Sequence, residues 1–300
     1  MGTGENVTVS EENRTYRFEK GLTYELKNDI VFNDNYSSII TKINSGEIDI
    51  KPSNYKISNN GAYYNANGKY AVAVNAQGYV TNGLQLLFDG KDNQGTGSHS
   101  NTATTWKDLS GNNKNGTLTK MDTNSCWTNE GLKFDGVDDC VMVTEMNYEN
   151  VTLEAVASAK MRSKTQYVIA NVEGGGYGIY FTSGKKLGAQ IFGATSKAYK
   201  SMTSAVKTAD RKYSWSGSYD ASIQKVRWSG DTFYAQTVLN EPIGKPANNT
   251  YIAIGGNPSR NYVNADYLEG TVYCARIYNR ALTDEEVSVN FLNDRDRYSV

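Results

Sequence analysis

Planar aromatic and polar side chains are grouped in the second half of this 300-residue chain, where they could bind a sugar. Sugar rings stack their CH faces on Trp or Tyr, while Asn, Asp and Arg side chains hydrogen-bond the hydroxyls. Trp215 and Trp228 fall on two consecutive predicted strands and could be neighbours across a hairpin, although ordinary packing inside a sandwich would also account for them. The candidate ligand-binding residues are Tyr199, Trp215, Trp228, Asn257, Arg260 and Tyr262.

Carboxylates in Asp-Gly and Asp-Asp turns could hold a calcium ion, because hard cations prefer oxygen ligands. The candidate metal ligands are Asp89, Asp135 and Asp138, with Asp92 and Asp139 beside them in the sequence. A purely structural role is the alternative, since Asp-Gly pairs form turns and Asp side chains cap backbone N–H groups. Calcium is thus the one candidate cofactor, and the Asp-Gly and Asp-Asp turns do not require it.

Residue counts exclude several other kinds of site. Lys and Arg number 31 against 32 Asp and Glu, so the whole chain gives no electrostatic case for nucleic acid or an anionic membrane. No apolar run reaches the ~18–20 residues of a membrane span. His99 is the only histidine, which excludes a multi-histidine metal site. Cysteines stand at positions 126, 140 and 274 and are expected to be buried free thiols.

Short β-favouring runs, separated by turn signals every 8–12 residues from residue 84 onward, predict an all-β sandwich. No strand is predicted between residues 193 and 212. The predicted strands are 84–88, 151–159, 166–171, 178–181, 187–192, 213–219, 223–229, 231–238 and 251–255.

The two ends of the chain have different patterns. Residues 1–80 read as short strands with too little apolar content for an independent core, which is typical of a segment that packs on another domain or subunit. The polar, glycine-containing stretch 75–83 predicts a boundary. Near the C-terminus, Thr283 and Glu286 have the spacing of a capping box, which predicts the start of a helix.

Three phrases carry a family resemblance. They are Trp106-Lys-Asp-Leu-Ser-Gly-Asn112, then Gly131-Leu-Lys-Phe-Asp-Gly-Val-Asp-Asp-Cys140, then the strand, turn and capped helix that run from Leu268 to Asn293. Together they resemble the laminin-G-like jelly roll of the concanavalin A-like lectin/glucanase superfamily, with Cys140 at a position where the family has Tyr. The resemblance implies an antiparallel jelly-roll β-sandwich over residues 84–298, one short C-terminal helix and a small β-rich N-terminal domain. The expected domains are 1–80, for attachment or assembly, and 81–300.

The resemblance also raises the question of glycoside hydrolysis. Hydrolases of this superfamily use a Glu-x-Asp-x-x-Glu strand, in which alternation places the first Glu and the Asp on one face and the second Glu serves as acid/base. Glu47 and Asp49 begin such a phrase, but Pro52 stands where the last carboxylate is needed. Inside the sandwich, Glu154 has no acidic partner two residues along. No catalytic residue is predicted, and the chain is expected not to be an enzyme; a hydrolase is the least favoured alternative.

Two functions remain, and one assembly could combine them. The first is a binding module that attaches to a cell-surface glycan or protein, and the second is a structural part that docks through residues 1–80, with homo-oligomerisation open. A phage virion component, such as a fibre or capsid decoration, would do both, and the absence of a signal-peptide pattern at the N-terminus favours it. The expected location is the virion. A secreted or wall-attached bacterial adhesin is the alternative.

Overall fold

The computed structural model describes residue 75 and residues 77–221, 241–246, 251–257 and 266–300, with the backbone alone for Val206 and Glu285. It also describes the backbone of seven strands outside these ranges, at 6–9, 23–26, 49–50, 62–64, 71–73, 223–228 and 234–238. The chain folds into two units. One comprises Met1–Asn82 with Thr283–Asn293, and the other comprises Gly83–Leu282 with Asp294–Val300.

The first unit contains short strands. Strands β1 (Asn6–Val9), β2 (Thr23–Leu26) and β3 (Asp49–Ile50) pair in parallel, and β4 (Ala62–Tyr64) pairs antiparallel with β5 (Ala71–Ala73). Further along the chain, the amide of Val80 donates to Asn290 Oδ1 (2.9 Å), and Asn293 Nδ2 donates to the carbonyl of Gln77 (2.6 Å). The division of the chain at residue 80 stays a prediction.

The second unit is a sandwich of two antiparallel sheets. Sheet I has the order β19-β18-β17-β12-β21-β10-β9, with β6 also paired to β21. Its strands are β6 (Leu84–Asp89), β9 (Trp127–Thr128), β10 (Gly131–Asp135), β12 (Val151–Ala159), β17 (Tyr213–Tyr219), β18 (Ile223–Trp228), β19 (Tyr234–Val238) and β21 (Glu269–Tyr278).

Sheet II has the order β16-β15-β14-β13-β20-β11-β8-β7, so β16 is an edge strand. Its strands are β7 (Thr105–Trp106), β8 (Gly116–Thr119), β11 (Cys140–Val143), β13 (Gln166–Ala170), β14 (Tyr177–Phe181), β15 (Lys186–Phe192), β16 (Tyr199–Val206) and β20 (Ile252–Ile254).

The core lies between the sheets and is built from alternate residues of both. Phe88 and Trp106 stack with ring centroids 5.1 Å apart, and Trp127 meets Trp106 edge-on at 5.3 Å. Alternation along each strand sends every second side chain into this layer, so the motif residues Trp106, Leu132 and Phe134 are fully buried. The three cysteines are free and buried, as expected.

The helix α1 (Asp284–Tyr298) begins with the predicted capping box. The amide of Thr283 donates to Glu286 Oε2 (2.9 Å), and the amide of Glu286 donates to Thr283 Oγ1 (3.3 Å). These two bonds satisfy donors that a helix start leaves without partners. No helix in the described part of the chain has the length and hydropathy to cross a membrane.

The outer face of sheet I carries a buried ionic network. Arg276, which is 1% exposed, donates from Nε to Glu154 Oε2 (2.9 Å) and from its two terminal nitrogens to the carboxylate of Asp294 (2.6 and 2.7 Å). Ser214 Oγ donates to Asp294 Oδ2 (2.7 Å). Burial of a charge is tolerated only when it is paired, and here one guanidinium pairs with two carboxylates. The last turn of α1 therefore covers this part of sheet I.

The architecture confirms the expected fold class. The sheets are antiparallel, a single helix closes the chain among the described residues, and a β-containing N-terminal segment comes first. The strand β16 is one departure, because it lies where the sequence predicted none; β7 to β11, between residues 105 and 143, were also absent from the predicted strands. The residues of β16, Tyr199-Lys-Ser-Met-Thr-Ser-Ala-Val206, have little apolar content, which is typical of an edge strand with one wet face.

Candidate functional site

The outer face of sheet II carries aromatic and polar side chains on four adjacent strands. Tyr167 pairs with Tyr180, Tyr180 with Gly188, and Gly188 with Thr203, while Gln190 pairs with Ser201 in a neighbouring row. Residues paired across antiparallel strands share a face. The alternate residues of these strands lie in the core, so the paired residues point away from it. We name this surface, formed by β13 to β16, the outer face.

A hydrogen-bonded chain crosses three strands of the outer face. Ser201 Oγ donates to Gln190 Oε1 (3.1 Å), and Gln190 Nε2 donates to the hydroxyl oxygen of Tyr167 (2.5 Å). The hydroxyl proton of Tyr167 has no acceptor among the residues that the structure describes. The chain therefore fixes the Gln190 amide. Gln190 and Tyr167 are themselves buried, at 9% and 7% exposure, so Ser201 is the member of the chain that a ligand can reach.

Glycine at position 188 makes room for an aromatic ring on this face. A Cβ atom on Gly188 would lie 2.6 Å from Tyr180 Cζ, so the Tyr180 ring lies over β15 only because that position has no side chain. The rings of Tyr167 and Tyr180 are 5.3 Å apart and tilted by 48°. Two aromatic rings and an amide are thereby packed together on one surface.

Both phenols remain protonated at neutral pH. Burial, followed by the neighbouring Tyr180, raises the pKa of Tyr167 far above its usual range. Burial also raises the pKa of Tyr180, and a hydrogen bond with Ser201 opposes that rise. These side chains therefore act as neutral hydroxyl groups and supply no charge or general base.

The exposed part of the outer face follows β16. Tyr199 is 50% exposed, and its ring meets the edge of Phe192 at 5.0 Å. Ser201, Thr203 and Ala205 are exposed beyond it. This row offers one aromatic ring at its start and small side chains along its length.

The remaining candidate ligand-binding residues do not join Tyr199. Trp215 is only 2% exposed, packs on Phe181 (5.2 Å) and donates from Nε1 to the Gly188 carbonyl (3.4 Å), because its position on β17 points into the core. A ring buried in this way offers no face to a sugar. The backbone of Trp228 pairs with Trp215, but its side chain lies outside the described residues, as do Arg260 and Tyr262.

Asn257 has a structural role in this fold. Its side chain is buried, accepts from the amide of Val172 (2.9 Å) and donates to the carbonyl of Val172 (2.8 Å). Both polar atoms of the amide are thus used to hold the neighbouring loop. The sequence placed Asn257 on a sugar-binding rim, whereas the structure uses it as a clamp between two backbone segments.

The candidate calcium ligands divide into two constellations. Asp135 and Asp138 lie together with Asp139, and one oxygen of each falls within 4.8 Å of the others, so these three carboxylates could hold a hard cation. They also build their own turn, since Asp135 Oδ1 accepts from the amides of Val137 (2.8 Å) and Asp138 (3.3 Å). Lys120 Nζ lies 3.3 Å from Asp138 Oδ2.

Asp89 belongs to the second constellation. It is buried, caps the 3-10 turn Gly90–Asp92, pairs with Arg297 (2.6 Å) and accepts from the hydroxyl of Tyr298 (2.7 Å). A carboxylate that pairs with a guanidinium and accepts from a phenol and backbone amides is a fold-stabilising group. The carboxylates that lie close to Asp135 and Asp138 are those of Asp139 and not of Asp89.

Tyr167, Tyr180, Gln190 and Ser201 were absent from the sequence-based candidates. They are separated by up to 34 positions in the chain and come together only through the register of β13 to β16. The available signal was weak: Tyr180 and Gln190 sit on predicted strands, but their face could be assigned only after pairing was known.

Comparison with known protein families shows which family this chain belongs to. The laminin-G family model described as the concanavalin A-like lectin/glucanases superfamily matches residues 139–288. The chain belongs to this superfamily. Its description covers both lectins and glucanases, so membership fixes a lectin-like jelly roll and leaves binding and catalysis to the site itself. No curated protein matches the sequence.

Solved structures with the same fold include enzymes and binding domains. A Trypanosoma rangeli sialidase in complex with a difluoro sugar acid is 18% identical, with a TM-score of 0.51 over 76% of this chain and 34% of the sialidase. A botulinum neurotoxin serotype D binding domain is 13% identical, with a TM-score of 0.50 over 71% of this chain and 52% of that domain. The chain thus spans about a third and about half of their lengths. At these identities the likeness shows the fold alone.

Proposed function

We propose that this chain is a non-enzymatic glycan-binding protein whose sandwich binds a sugar on the outer face of sheet II. The observation that carries the proposal is the exposed row Tyr199, Ser201 and Thr203 on β16, in which Ser201 is held by a hydrogen bond to the buried Gln190. An exposed aromatic ring beside hydroxyl groups is an arrangement by which proteins bind sugars. The fold belongs to a superfamily that is named for its lectins and glucanases.

The two sheets differ in the surface that they leave for a ligand. On sheet I, the residues Thr152, Glu154, Ser214 and Ser216 are buried, and Arg276 and Asp294 hold the end of α1 against them. On sheet II, the row Tyr199, Ser201, Thr203 is exposed. Among the side chains that the structure describes, which exclude those of β18 and β19, this exposed row lies on sheet II, and it favours that sheet as the binding surface.

The non-enzymatic part of the proposal rests on where the carboxylates are used. Glu154, the acidic residue of the central strand β12, is buried in an ion pair with Arg276 (2.9 Å). Glycoside hydrolysis needs two carboxylates about 5–9.5 Å apart across a scissile bond, open to the substrate.

A panel of chromogenic glycosides tests the absence of hydrolysis. The expected result is no turnover above buffer, and turnover that a single carboxylate substitution abolishes would contradict the proposal.

For the whole chain we propose a phage virion component, a fibre or capsid decoration, that displays the sandwich toward host glycans. Residues 1–80 would attach it to other virion subunits. A parallel sheet with strands of 4, 4 and 2 residues supports this, because so small a sheet buries little apolar surface by itself. Cryo-electron microscopy of the native particle is the test. Density for residues 1–80 in a subunit interface is expected. Finding the protein freely secreted or attached to a cell wall, and not in the particle, would contradict the proposal.

A glycan array with one matched pair of variants tests the binding face. Tyr199→Ala removes an exposed ring on the outer face and is expected to weaken binding to the array hits by about tenfold, the effect of a lost stacking ring of roughly 1–2 kcal/mol. Tyr251→Ala is the control. Tyr251 is as exposed as Tyr199 (48% against 50%), but it precedes β20 and so lies outside the strands β13 to β16 that form the outer face. Equal binding by wild type and Tyr199→Ala, or no array hit at all, would overturn the proposal.

A further inference from the structure

The strand β16 is the edge of sheet II, and its second side has no neighbour among the strands that the structure describes. The amide of Phe192 donates to the carbonyl of Gly176 (2.9 Å), which precedes β14, and Phe192 pairs with Tyr199 across β15 and β16. Because the N–H and C=O of a strand residue point to the same side, Tyr199 directs both groups away from β15. Alternation gives Ser201 and Thr203 the same direction.

These outward backbone groups form a regular row from residue 199 to residue 203. Within the described part of the chain, the outward N–H and C=O groups of Tyr199, Ser201 and Thr203 have no hydrogen-bond partner. Beyond Thr203 the row ends, since the register of β15 and β16 shifts and Ser204 Oγ accepts from the amide of Leu187 (2.9 Å). A row of this kind is a template for pairing with another strand.

The residues of this row are complementary to themselves. In an antiparallel pair centred on Ser201, Tyr199 lies opposite Thr203 of the second copy, and Ser201 lies opposite its own equivalent. Aromatic residues pair favourably with β-branched ones, and hydroxyl groups that lie opposite each other can hydrogen-bond. Lys200, the only charged residue of β16, lies opposite Met202, so like charges do not meet. The row therefore fits a second copy of this chain.

We propose that two copies of the chain pair through β16, antiparallel about a twofold axis at Ser201, and join their sheets II into one continuous sheet. Three residue pairs that each exchange both N–H···O bonds give about six intermolecular hydrogen bonds. A twofold contact uses the same surface on both copies, so the assembly closes at a dimer. A peptide strand could use the same backbone groups, but the match of all three side-chain pairs is a property of this strand with itself.

The dimer enlarges the surface to which we assign sugar binding. Neighbouring strands lie about 4.8 Å apart, and the side chains of paired residues share a face. The exposed rows of the two copies therefore form one surface, in which Tyr199 of one copy lies beside Thr203 of the other. This consequence rests on the proposed glycan-binding function, whereas the pairing itself does not.

Light scattering after size-exclusion chromatography of the full chain, with no sugar present, tests the pairing. The wild type is expected to be a dimer that dissociates on dilution. Ser201→Lys puts two cations opposite each other at the axis and should weaken dimerisation at least about tenfold. Circular dichroism and the melting temperature establish that the variant is folded, as expected for an exposed position.

Thr203→Lys is the matched control, because it adds the same charge to the same exposed row. In the proposed register the new cation lies opposite Tyr199 of the second copy, and the two added charges are about 13 Å apart, four residues at ~3.3 Å each. At physiological salt they are largely screened from each other, so dimerisation should stay within about threefold of the wild type.

A cysteine pair tests the register independently of charge. Two cysteines opposite each other in an antiparallel pair have Cα atoms about 5.5 Å apart, a separation that a disulfide can bridge. Oxidised glutathione should therefore link Ser201→Cys into a covalent dimer. Ala205→Cys, which is exposed but lies beyond the shift in register, should remain unlinked under the same conditions.

Three results would overturn the inference: a wild type that stays monomeric at about 0.1 mM, whether or not an extended peptide binds its edge; equal losses in the two lysine variants; or equal linkage of the two cysteine variants. The pairing and the proposed function fail separately. A dimer without a glycan-array hit would overturn only the sugar-binding function, and array hits from a monomeric wild type would overturn only the pairing.

Discussion

At the scale of single residues, Asp294 of α1 is the carboxylate that holds both terminal nitrogens of the buried Arg276. It accepts two hydrogen bonds from Arg276 and one from Ser214. Asp294→Ala would leave a buried guanidinium with half of its partners, so the free energy of unfolding should fall by about 3–5 kcal/mol. Urea denaturation followed by fluorescence measures the change.

Asp296→Ala is the matched control for that prediction. Asp296 lies two residues further along α1, is about half exposed and pairs with the adjacent, exposed Arg295 (3.0 Å). Its removal should cost less than about 0.5 kcal/mol. Similar losses for the two variants would mean that helix propensity, and not the buried network, is what the substitutions perturb.

Asp139 provides a second residue-scale prediction, which concerns pH. Burial, followed by the charge of Asp135, raises the pKa of Asp139 from 3.8 to about 6. The folded state thus favours the protonated acid, and this contribution to stability is full below pH ~4 and lost as pH rises through ~6. In chelator-treated protein the free energy of unfolding should fall by roughly 1–3 kcal/mol over that window because of this group.

Asp139→Asn should flatten that fall, since the amide cannot ionise and its oxygen can still accept from the amide of Asp135 (3.0 Å in the wild type). The measurement is a series of urea unfolding curves between pH 4 and 7 for both proteins. Identical pH slopes for wild type and variant would show that Asp139 has an ordinary pKa in the folded protein.

At the scale of elements, the start of α1 is held by reciprocal side-chain bonds between Thr283 and Glu286. Thr283→Ala removes the acceptor of the Glu286 amide and should lower the free energy of unfolding by about 1 kcal/mol. Thr283→Ser keeps a hydroxyl at that position and should restore most of the loss. Equal destabilisation by Ala and Ser would show that the methyl group, and not the cap, is responsible.

Most sandwich elements could be predicted from the sequence, and the reason is visible in the strands themselves. β12 and β17 were expected at 151–159 and 213–219 and occur at those bounds, because larger apolar residues alternate with polar ones over most of each strand. β16 was missed, because an edge strand with one exposed face has little apolar content to mark it. The strand that carries Tyr199 was therefore among those that the pattern did not reveal.

The candidate site could be predicted only in part for a related reason. Tyr199 was chosen from the sequence as an aromatic candidate, and it is exposed on the outer face. Trp215 and Asn257 were chosen by residue type, which gives no information about the side of a strand or the partners of an amide. Tyr167, Gln190 and Ser201 meet only through strand register, a tertiary property.

At the scale of the whole molecule, the two sheets differ in what lies on their outer sides. On sheet I, the ionic network of Arg276 and Asp294 attaches α1 to β12 and β21, and this stabilises the fold. Sheet II presents the outer face, with the exposed ring of Tyr199 and the amide of Gln190 on the same set of strands.

The most direct test of the account is to map where a bound glycan lies. Backbone chemical shifts of deuterated, 15N-labelled protein, recorded while the strongest glycan-array ligand is added, report every amide near the sugar. We predict perturbations in β13 to β16, centred on Gln190 and Ser201, with β12 and β21 unchanged. Perturbations confined to sheet I or to the turn of Asp135 and Asp138, with β13 to β16 unchanged, would contradict the assignment of the outer face as the glycan-binding surface.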